Sequence, residues 1–361
     1  MKKWLLLLTI LVTINFIVFF YKSAMTKVTG ECSNCHTMHA SQNGTFLGGP
    51  NPVLLKTIGN YTGCLACHSD DGSETLKQVG SSVFPIVWNR SEPTYPLAAG
   101  NFYYVATGTG NDTKGHNVAG IAGQDSVIGS YTPPGWKKLS TDWGPNEDSW
   151  SNQLTCSGRY GCHGLRNTND TFAAIRGLHH NETRPYRFLY GDANSPIQGK
   201  EDPNYEKGKL TGTPTGSHNV YKGNTVDDVT TISYFCGQCH GKFHKHSALG
   251  GTTEVGSQSP WLRHPTDISL AASDSSPFTT DYGSSNNTYN YETPVAFATL
   301  PDPPISTFTN GIVMCLSCHR AHASSKYNGN VPDDILRFNY SDIKAGIGVT
   351  TGCNRCHARQ R

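Results

Sequence analysis

Two stretches, CSNCHTMHAS (Cys32–Ser41) and CLSCHRAHAS (Cys315–Ser324), decide the fold, because each sets two cysteines and a histidine at a fixed spacing. The pattern C-x-x-C-H is the covalent attachment site of a c-type haem. The two thiols bond to the vinyl groups of the porphyrin, and the histidine becomes an axial ligand of the iron. The chain carries five such motifs: Cys32/Cys35/His36, Cys64/Cys67/His68, Cys236/Cys239/His240, Cys315/Cys318/His319 and Cys353/Cys356/His357.

A sixth motif, Cys156/Cys162/His163, has five residues between its cysteines, and the six motifs together use all 12 cysteines of the chain. We expect the longer loop to bulge outward while both thiols reach the same haem. A single thioether or a Cys156–Cys162 disulfide are the alternatives. Zinc sites built from paired cysteines do not require a histidine at one fixed offset. The sequence therefore predicts six haem c groups, and with them electron transfer.

The N-terminus predicts export from the cytoplasm. Lys2 and Lys3 precede an apolar run from Trp4 to Phe20. This run is slightly long for the apolar part of a signal peptide and short for a membrane span. Residues 1–25 are therefore either a removed signal peptide or a retained membrane anchor, and we exclude them from the fold argument.

The composition is unusual for a globular domain. Only 16% of the residues are charged, against about 25% in typical proteins, and the chain holds 38 Gly and 20 Pro. Helical and strand periodicities are scarce. The 17 Tyr, 14 Phe and 6 Trp nevertheless argue against disorder. We expect a mostly irregular backbone, with a few short helices and minimal strand, wrapped around a chain of stacked haems.

The two opening stretches belong to a duplicated two-haem module. Each continues through a Gly/Asn-rich segment and an apolar-then-basic step to a second motif. The modules cover residues 28–80 and 311–361, and residues 151–265 hold the third and fourth haem motifs. The intervening residues 81–150 and 266–310 are rich in Gly, Ser, Asn and Tyr and are interpreted as ordered loops or linkers. We expect residues 26–361 to form a single hexahaem domain.

The second axial ligands are expected to be histidines, since the chain has only four Met. Of these, Met38 and Met314 abut haem motifs and cannot reach the far face of their own ring. His39 and His322 lie three residues after a proximal histidine, so each must serve a different haem from its own motif's. Six of the 15 His are proximal, which leaves nine: His39, His116, His179, His180, His218, His244, His246, His264 and His322.

The sequence resembles the extracellular hexahaem cytochromes of the outer-surface cytochrome S type, which polymerise into conductive nanowires. The matching stretches run in the same order along nearly the whole chain after the N-terminal segment. They are ECSNCHTMHAS (31–41), KGHNV (114–118), FCGQCHGKFH (235–244), LRHP (262–265), CLSCHRAHAS (315–324), RFN (337–339) and CNRCHA (353–358).

This resemblance implies distal ligands at His39, His116, His244, His264 and His322, with His39 ligating a haem of the neighbouring subunit. The family's third motif is a regular C-x-x-C-H with a further histidine three residues on, and this sequence departs from it. We expect His179 or His180 to take that role, with His218 as the competitor and His246 spare.

The resulting hypothesis is an electron-transfer protein rather than an enzyme, at the cell surface or outside the cell. Its expected partners are other copies of itself and redox-partner cytochromes. The alternatives are a periplasmic, membrane-anchored quinol-oxidising cytochrome and a multihaem nitrite or hydroxylamine enzyme. The latter needs an open iron position, often marked by a C-x-x-C-K motif that is absent from the sequence. The formal charge of +2 becomes negative once haem propionates are counted, and there is no basic run, so no nucleic-acid partner is expected.

Overall fold

The computed structural model of this chain describes residues 31–39, 41–43, 45–46, 55, 63–94, 97–106, 111–138, 143–181, 183–202, 217–251, 264–270, 287–324, 337 and 355–356. Three of the predicted features lie outside these residues: the apolar run Trp4–Phe20, Cys353 and His357. Within the described ranges, no helix is both long and apolar enough to cross a membrane.

Regular elements are short, as the weak periodicity predicts, and the expectation of a mostly irregular backbone is confirmed. The α-helices are Leu65–His68, Tyr103–Ala106, Thr171–Ala174, Ile232–Gly237 and Cys315–Cys318. Single turns of 3-10 helix span Cys32–Asn34, Asp112–Lys114, Leu178–His180, Tyr186–Phe188, Asp192–Asn194, Gly241–Phe243 and Ser247–Leu249. The strands are Ser41–Gln42, Thr45–Phe46, Ser69–Asp70, Leu76–Val79, Ser82–Pro85, Trp88–Asn89, Thr155–Ser157, Gly161–His163, Gly199–Lys200, Val220–Lys222, Ile268–Ser269, Asn287–Thr288, Ala296–Phe297, Thr307–Phe308 and Ile312–Val313.

The largest sheet in the described part of the chain has five strands. Their spatial order is Ile268–Ser269, Ile312–Val313, Ala296–Phe297, Val220–Lys222 and Gly199–Lys200. The pair formed by Val220–Lys222 and Ala296–Phe297 is parallel, and the other three pairs are antiparallel. The sheet therefore joins the middle of the chain to the segment before the fifth haem motif.

Both faces of this sheet are covered, because successive side chains of a strand point to opposite sides. One face carries Val220, Phe297 and Val313, and Cys356 packs against that cluster. The other face carries Tyr221, Ala296 and Ile312, among others, and this second cluster is bordered by Cys162 and Cys236. Cysteines of three haem motifs thus border the two cores, which is where haem groups would extend the apolar interior.

Residues 266–310 contribute more than the loops or linkers that their composition suggested. Val295 and Ala296 are fully buried, and Phe297 and Phe308 pack edge to face with ring centroids 5.7 Å apart. The reason is that the strands of this segment are only two residues long, which is below the length at which periodicity is visible in a sequence.

Candidate haem-binding sites

Four of the regular motifs share one local geometry. In each, the backbone N–H of the histidine donates to the carbonyl of the first cysteine, four residues earlier. One helical turn therefore brings the two thiols and the imidazole close together along the chain. The N–O distances are 2.9 Å for His36 to Cys32, 3.0 Å for His68 to Cys64, 3.0 Å for His240 to Cys236 and 3.0 Å for His319 to Cys315.

The motif with five intervening residues brings its two cysteines together through paired strands instead of a helical turn. Cys156 lies in the strand Thr155–Ser157 and Cys162 in the strand Gly161–His163, and the two strands are parallel. The register pairs Thr155 with Gly161 and Ser157 with His163, so that Cys156 and Cys162 stand side by side. Both are free thiols, not a disulfide. The bulged loop that the sequence predicts is thus present, and it leaves both thiols available.

Thiols of successive motifs lie close enough to shift one another's pKa. The interaction with Cys156 of the third motif lowers the pKa of Cys64 of the second to about 7, and the interaction with Cys315 of the fifth raises the pKa of Cys236 of the fourth. Weaker charge interactions connect Cys35 with Cys67 and Cys162 with Cys239. The first five motifs therefore follow one another in space in the order of the sequence.

Three proximal histidines each lie opposite a second histidine, with nearly the same distance between the two ring centroids. An imidazole nitrogen binds a metal at about 2 Å, and the ring centroid lies about 1.2 Å behind that nitrogen, so two axial imidazoles have centroids about 6.3 Å apart. The described pairs match this value. They are His68 with His179 at 6.4 Å, His163 with His322 at 6.4 Å, and His240 with His116 at 6.1 Å.

Four of these six imidazoles are oriented by the same type of hydrogen bond. In each, the Nδ1–H donates to a backbone carbonyl, which leaves Nε2 as the unprotonated nitrogen. Metal-binding histidines are typically held in this way. The bonds join His68 to Pro85 (2.9 Å), His116 to Ala321 (2.8 Å), His163 to Arg187 (2.8 Å) and His240 to Pro134 (2.8 Å).

Five of the six paired imidazoles are also held in the neutral form. Burial lowers the pKa of His179 and of His240 to about 4 and that of His322 to about 3, with smaller contributions from neighbouring histidines. Burial likewise lowers the pKa of His116 and of His163. Neutral imidazole is the form that coordinates a metal, so the electrostatics of the three pairs fit axial ligation.

A small backbone clamp fixes two of the distal candidates together. The N–H of His116 donates to the carbonyl of His322 at 2.9 Å. Gly100 and Gly115 both form β-bridges with Ala323, and a Cβ on Gly115 would stand 2.5 Å from that residue's Cβ. Glycine is therefore required for this approach. We did not predict the clamp from the sequence; the glycine of KGHNV beside the alanine of HRAHAS was the available signal.

Three other spare histidines have ring nitrogens engaged with protein groups. Buried His244 donates from Nε2 to Asp267 at 3.1 Å while its Nδ1 accepts the N–H of His246. The Nε2 of His218 accepts the N–H of Ile305 at 3.3 Å. The Nδ1 of His246 accepts a backbone N–H from Ala248 at 3.2 Å, as a helix cap. His244, which the family resemblance implies as a ligand, therefore has both ring nitrogens bonded to protein groups in this structure.

The remaining predicted ligands stand apart from the three pairs. His180, beside His179, is exposed. His264 is exposed and donates from Nδ1 to the Pro265 carbonyl at 2.8 Å, the same type of contact as in the paired rings. His39 and the proximal His319 are both exposed on the subunit surface. Sequence analysis left His179, His180 and His218 as alternatives, and among the ring contacts of the described residues it is His179 that lies opposite a proximal histidine, His68.

Comparison with known proteins gives three relatives of one kind. The chain is 25% identical to the C-type cytochrome OmcS of Geobacter sulfurreducens, over 86% of this chain and 78% of that protein. Its fold matches the OmcS nanowires of G. sulfurreducens, solved by cryo-EM, with a TM-score of 0.52 and 20% identity, over 88% of this chain and 85% of that one. The Outer Membrane Cytochrome S filament of the same organism is 20% identical, with a TM-score of 0.47 over 87% and 84% of the two chains. No family model matches the chain.

Proposed function

Because this chain is a c-type cytochrome of the OmcS type, we propose that it conducts electrons through six covalently attached haem c groups, outside the cell. The observation that carries the proposal is the set of three imidazole pairs with centroids 6.1–6.4 Å apart. An iron closed on both faces exchanges electrons without binding a substrate, which distinguishes a carrier from an enzyme with an open metal position. Haem c, when bound, supplies the one-electron chemistry of its iron.

The residues of this chain have three roles in the proposed function. The twelve cysteines attach the porphyrins, and the motif histidines, His357 included, are the proximal ligands. His179, His322 and His116 are the distal ligands of the second, third and fourth haems. The apolar clusters around Cys156, Cys162, Cys236 and Cys356 exclude water from the ring edges, and a low dielectric environment tunes the potential of a haem.

The contiguity of the motifs supports conduction along the subunit. Electrostatic interactions between thiols connect the first motif to the second and so on to the fifth. These cysteines would hold successive haems near one another, and the haems would supply the one-electron chemistry. His264 is proposed as a ligand of the first or the sixth haem, and the contact of its Nδ1 with the Pro265 carbonyl supports this. His244, which the family resemblance also implies, would bind a haem only after its bonds to Asp267 or to the N–H of His246 break.

We further propose that copies of this chain assemble into a filament like that of OmcS, with His39 binding the fifth haem of the next subunit. The exposure of both His39 and His319 on the single subunit supports this. Met38, beside His39, is 83% exposed and would be covered by such a contact. The contact is heterologous, so repeating it without closure gives a filament. Redox-partner cytochromes would supply and remove the electrons.

The experiment that tests the carrier function is intact mass together with optical spectroscopy of the purified protein. We expect a mass with six covalent haems and low-spin spectra without a methionine–iron band. Four haems or fewer would overturn the assignment. Rapid binding of cyanide, CO or nitrite by the central irons at neutral pH would favour an enzyme instead.

A further inference from the structure

Arg166 is one of three buried arginines in the described part of the chain. Its side chain is 1% exposed. It donates to the Gln238 amide oxygen at 2.9 Å and to the Cys239 sulfur at 3.4 Å. Its Nε–H is buried without an acceptor. Among the described residues no carboxylate lies within ion-pair distance of it, and a buried guanidinium without a counter-charge is strongly unfavourable.

Two other buried arginines show what this site lacks. Arg320 pairs with the Glu292 carboxylate at 3.4 Å and also donates to backbone carbonyls. Arg337 donates to several backbone carbonyls, the shortest contact being 2.7 Å to Leu316. Arg320 therefore has a carboxylate partner, although its Nε–H is also buried without an acceptor. Arg166, just as deeply buried, has neither a carboxylate nor a backbone carbonyl as a described partner of its guanidinium.

The surroundings of Arg166 are rich in unused donors. The indole N–H of Trp143 and the Nε–H of Arg159 are also buried without acceptors. All three residues meet at Gly144: Trp143 precedes it, Arg159 donates to its carbonyl at 3.4 Å, and its N–H donates to the Arg166 carbonyl at 3.0 Å. Several unsatisfied N–H donors with a net positive charge call for an anionic acceptor, and carboxylates fit guanidinium groups in a bidentate manner.

Arg166 lies beside two haem motifs, so the propionates of bound haems are the anionic groups that would be available to it. Its guanidinium touches the Cys239 thiol of the fourth motif and its charge acts on Cys162 of the third. In addition, Gly144 has a φ of +94°, and a Cβ there would stand 2.8 Å from the guanidinium. A glycine thus keeps open the space beside this group.

From these contacts we propose that Arg166 binds a haem propionate at the contact between the third and fourth haem sites, with Trp143 and Arg159 as supporting donors. The inference rests on the proposed haem-binding function. By neutralising the propionate, Arg166 raises the reduction potential of that haem, because a nearby positive charge favours uptake of an electron. Arg159 belongs to the five-residue insertion of the third motif, so the insertion acquires a role in cofactor binding.

The test compares Arg166→Gln with the same change at exposed Arg176, in spectroelectrochemical titrations of the full holoprotein. We expect Arg166→Gln to shift one haem of the titration to lower potential, with haem count and low-spin spectra unchanged, and Arg176→Gln to leave the curve in place. An unchanged curve for Arg166→Gln overturns the proposal.

Arg166→Lys keeps the inference testable if the glutamine variant loses haem. A lysine retains the charge but not the bidentate geometry, so the titration should stay near that of the wild type while the propionate bending band in the resonance Raman spectrum shifts. An unshifted band overturns the proposal. Failure of the wild type to show six low-spin haems would instead overturn the proposed function itself.

Discussion

The centre of the subunit and its exposed surface differ in how a second histidine is supplied to each proximal histidine. At the second, third and fourth motifs a distal imidazole from the same chain faces each proximal ring, at 6.1–6.4 Å between centroids. At the fifth motif the proximal His319 is exposed, as is His39, the residue that the family resemblance assigns to a neighbour. The difference is that three central motifs meet a second histidine within one chain, whereas the proposed assembly would supply one at the fifth motif.

His39→Ala should abolish the proposed contact between subunits and has the largest expected effect. Without the imidazole that crosses to the next subunit, filaments should be absent, while the folded subunit keeps six haems and one iron becomes open to cyanide. Negative-stain electron microscopy and cyanide titration measure the two results. The control is His180→Ala, also an exposed histidine. Filaments of normal length in the His39 variant would contradict the account.

Gly115→Ala should disrupt the distal ligation of two central irons at once. The new Cβ would stand 2.5 Å from both the Ala323 Cβ and the His322 carbonyl oxygen. The clamp then separates, and His116 and His322 leave their positions. We expect high-spin signals from about a third of the irons in EPR, since two of six lose a strong axial ligand. Gly123→Ala, where a Cβ meets nothing within 4 Å, should give the wild-type spectrum.

His179→Ala should open a single central iron. About one sixth of the low-spin signal should become high-spin, because only the second haem loses its distal imidazole. Added imidazole should restore the low-spin spectrum by filling the space left behind. A variant at His218, whose Nε2 accepts a backbone N–H, provides the comparison. If His218→Ala, and not His179→Ala, opens an iron, the pairing assigned to His179 is wrong.

Cys156→Ser should have the smallest effect, because the haem remains attached through Cys162. One vinyl group stays unsaturated, so the α-band of the pyridine haemochrome should move to longer wavelength for one haem. The low-spin spectrum should not change, since His163 and His322 are untouched. An unshifted band in this variant would mean that Cys156 forms no thioether in the native protein.

The local geometry of the motifs could be predicted from the sequence far better than the pairing of the histidines. The motif turn is local, since only four residues separate the carbonyl of Cys64 from the N–H of His68, and so spacing alone reveals it. Pairing is not local: His322 lies in the last two-haem module but faces His163 in the middle of the chain. The proximity of these two histidines depends on the close approach of Gly100 and Gly115 to Ala323. No hydrophobic periodicity in the sequence indicates that approach.

The third motif shows why a departure from a pattern does not abolish its geometry. Five intervening residues exclude the helical turn, yet parallel strands align Cys156 with Cys162 through their register. Gly161 allows this closeness, because a Cβ there would stand 2.5 Å from the backbone of Ser157. Short strands of three residues leave no readable alternation, so the bulge could be predicted but its form could not.

The most direct test of the central claim is a cryo-EM map of the native assembly at a resolution that shows imidazole rings. The account predicts that His179, His322 and His116 bind the second, third and fourth irons from within one chain, and that His39 binds the fifth iron of the next subunit. A central iron with an open or differently ligated distal face would contradict it, as would a His39 that ligates a haem of its own chain.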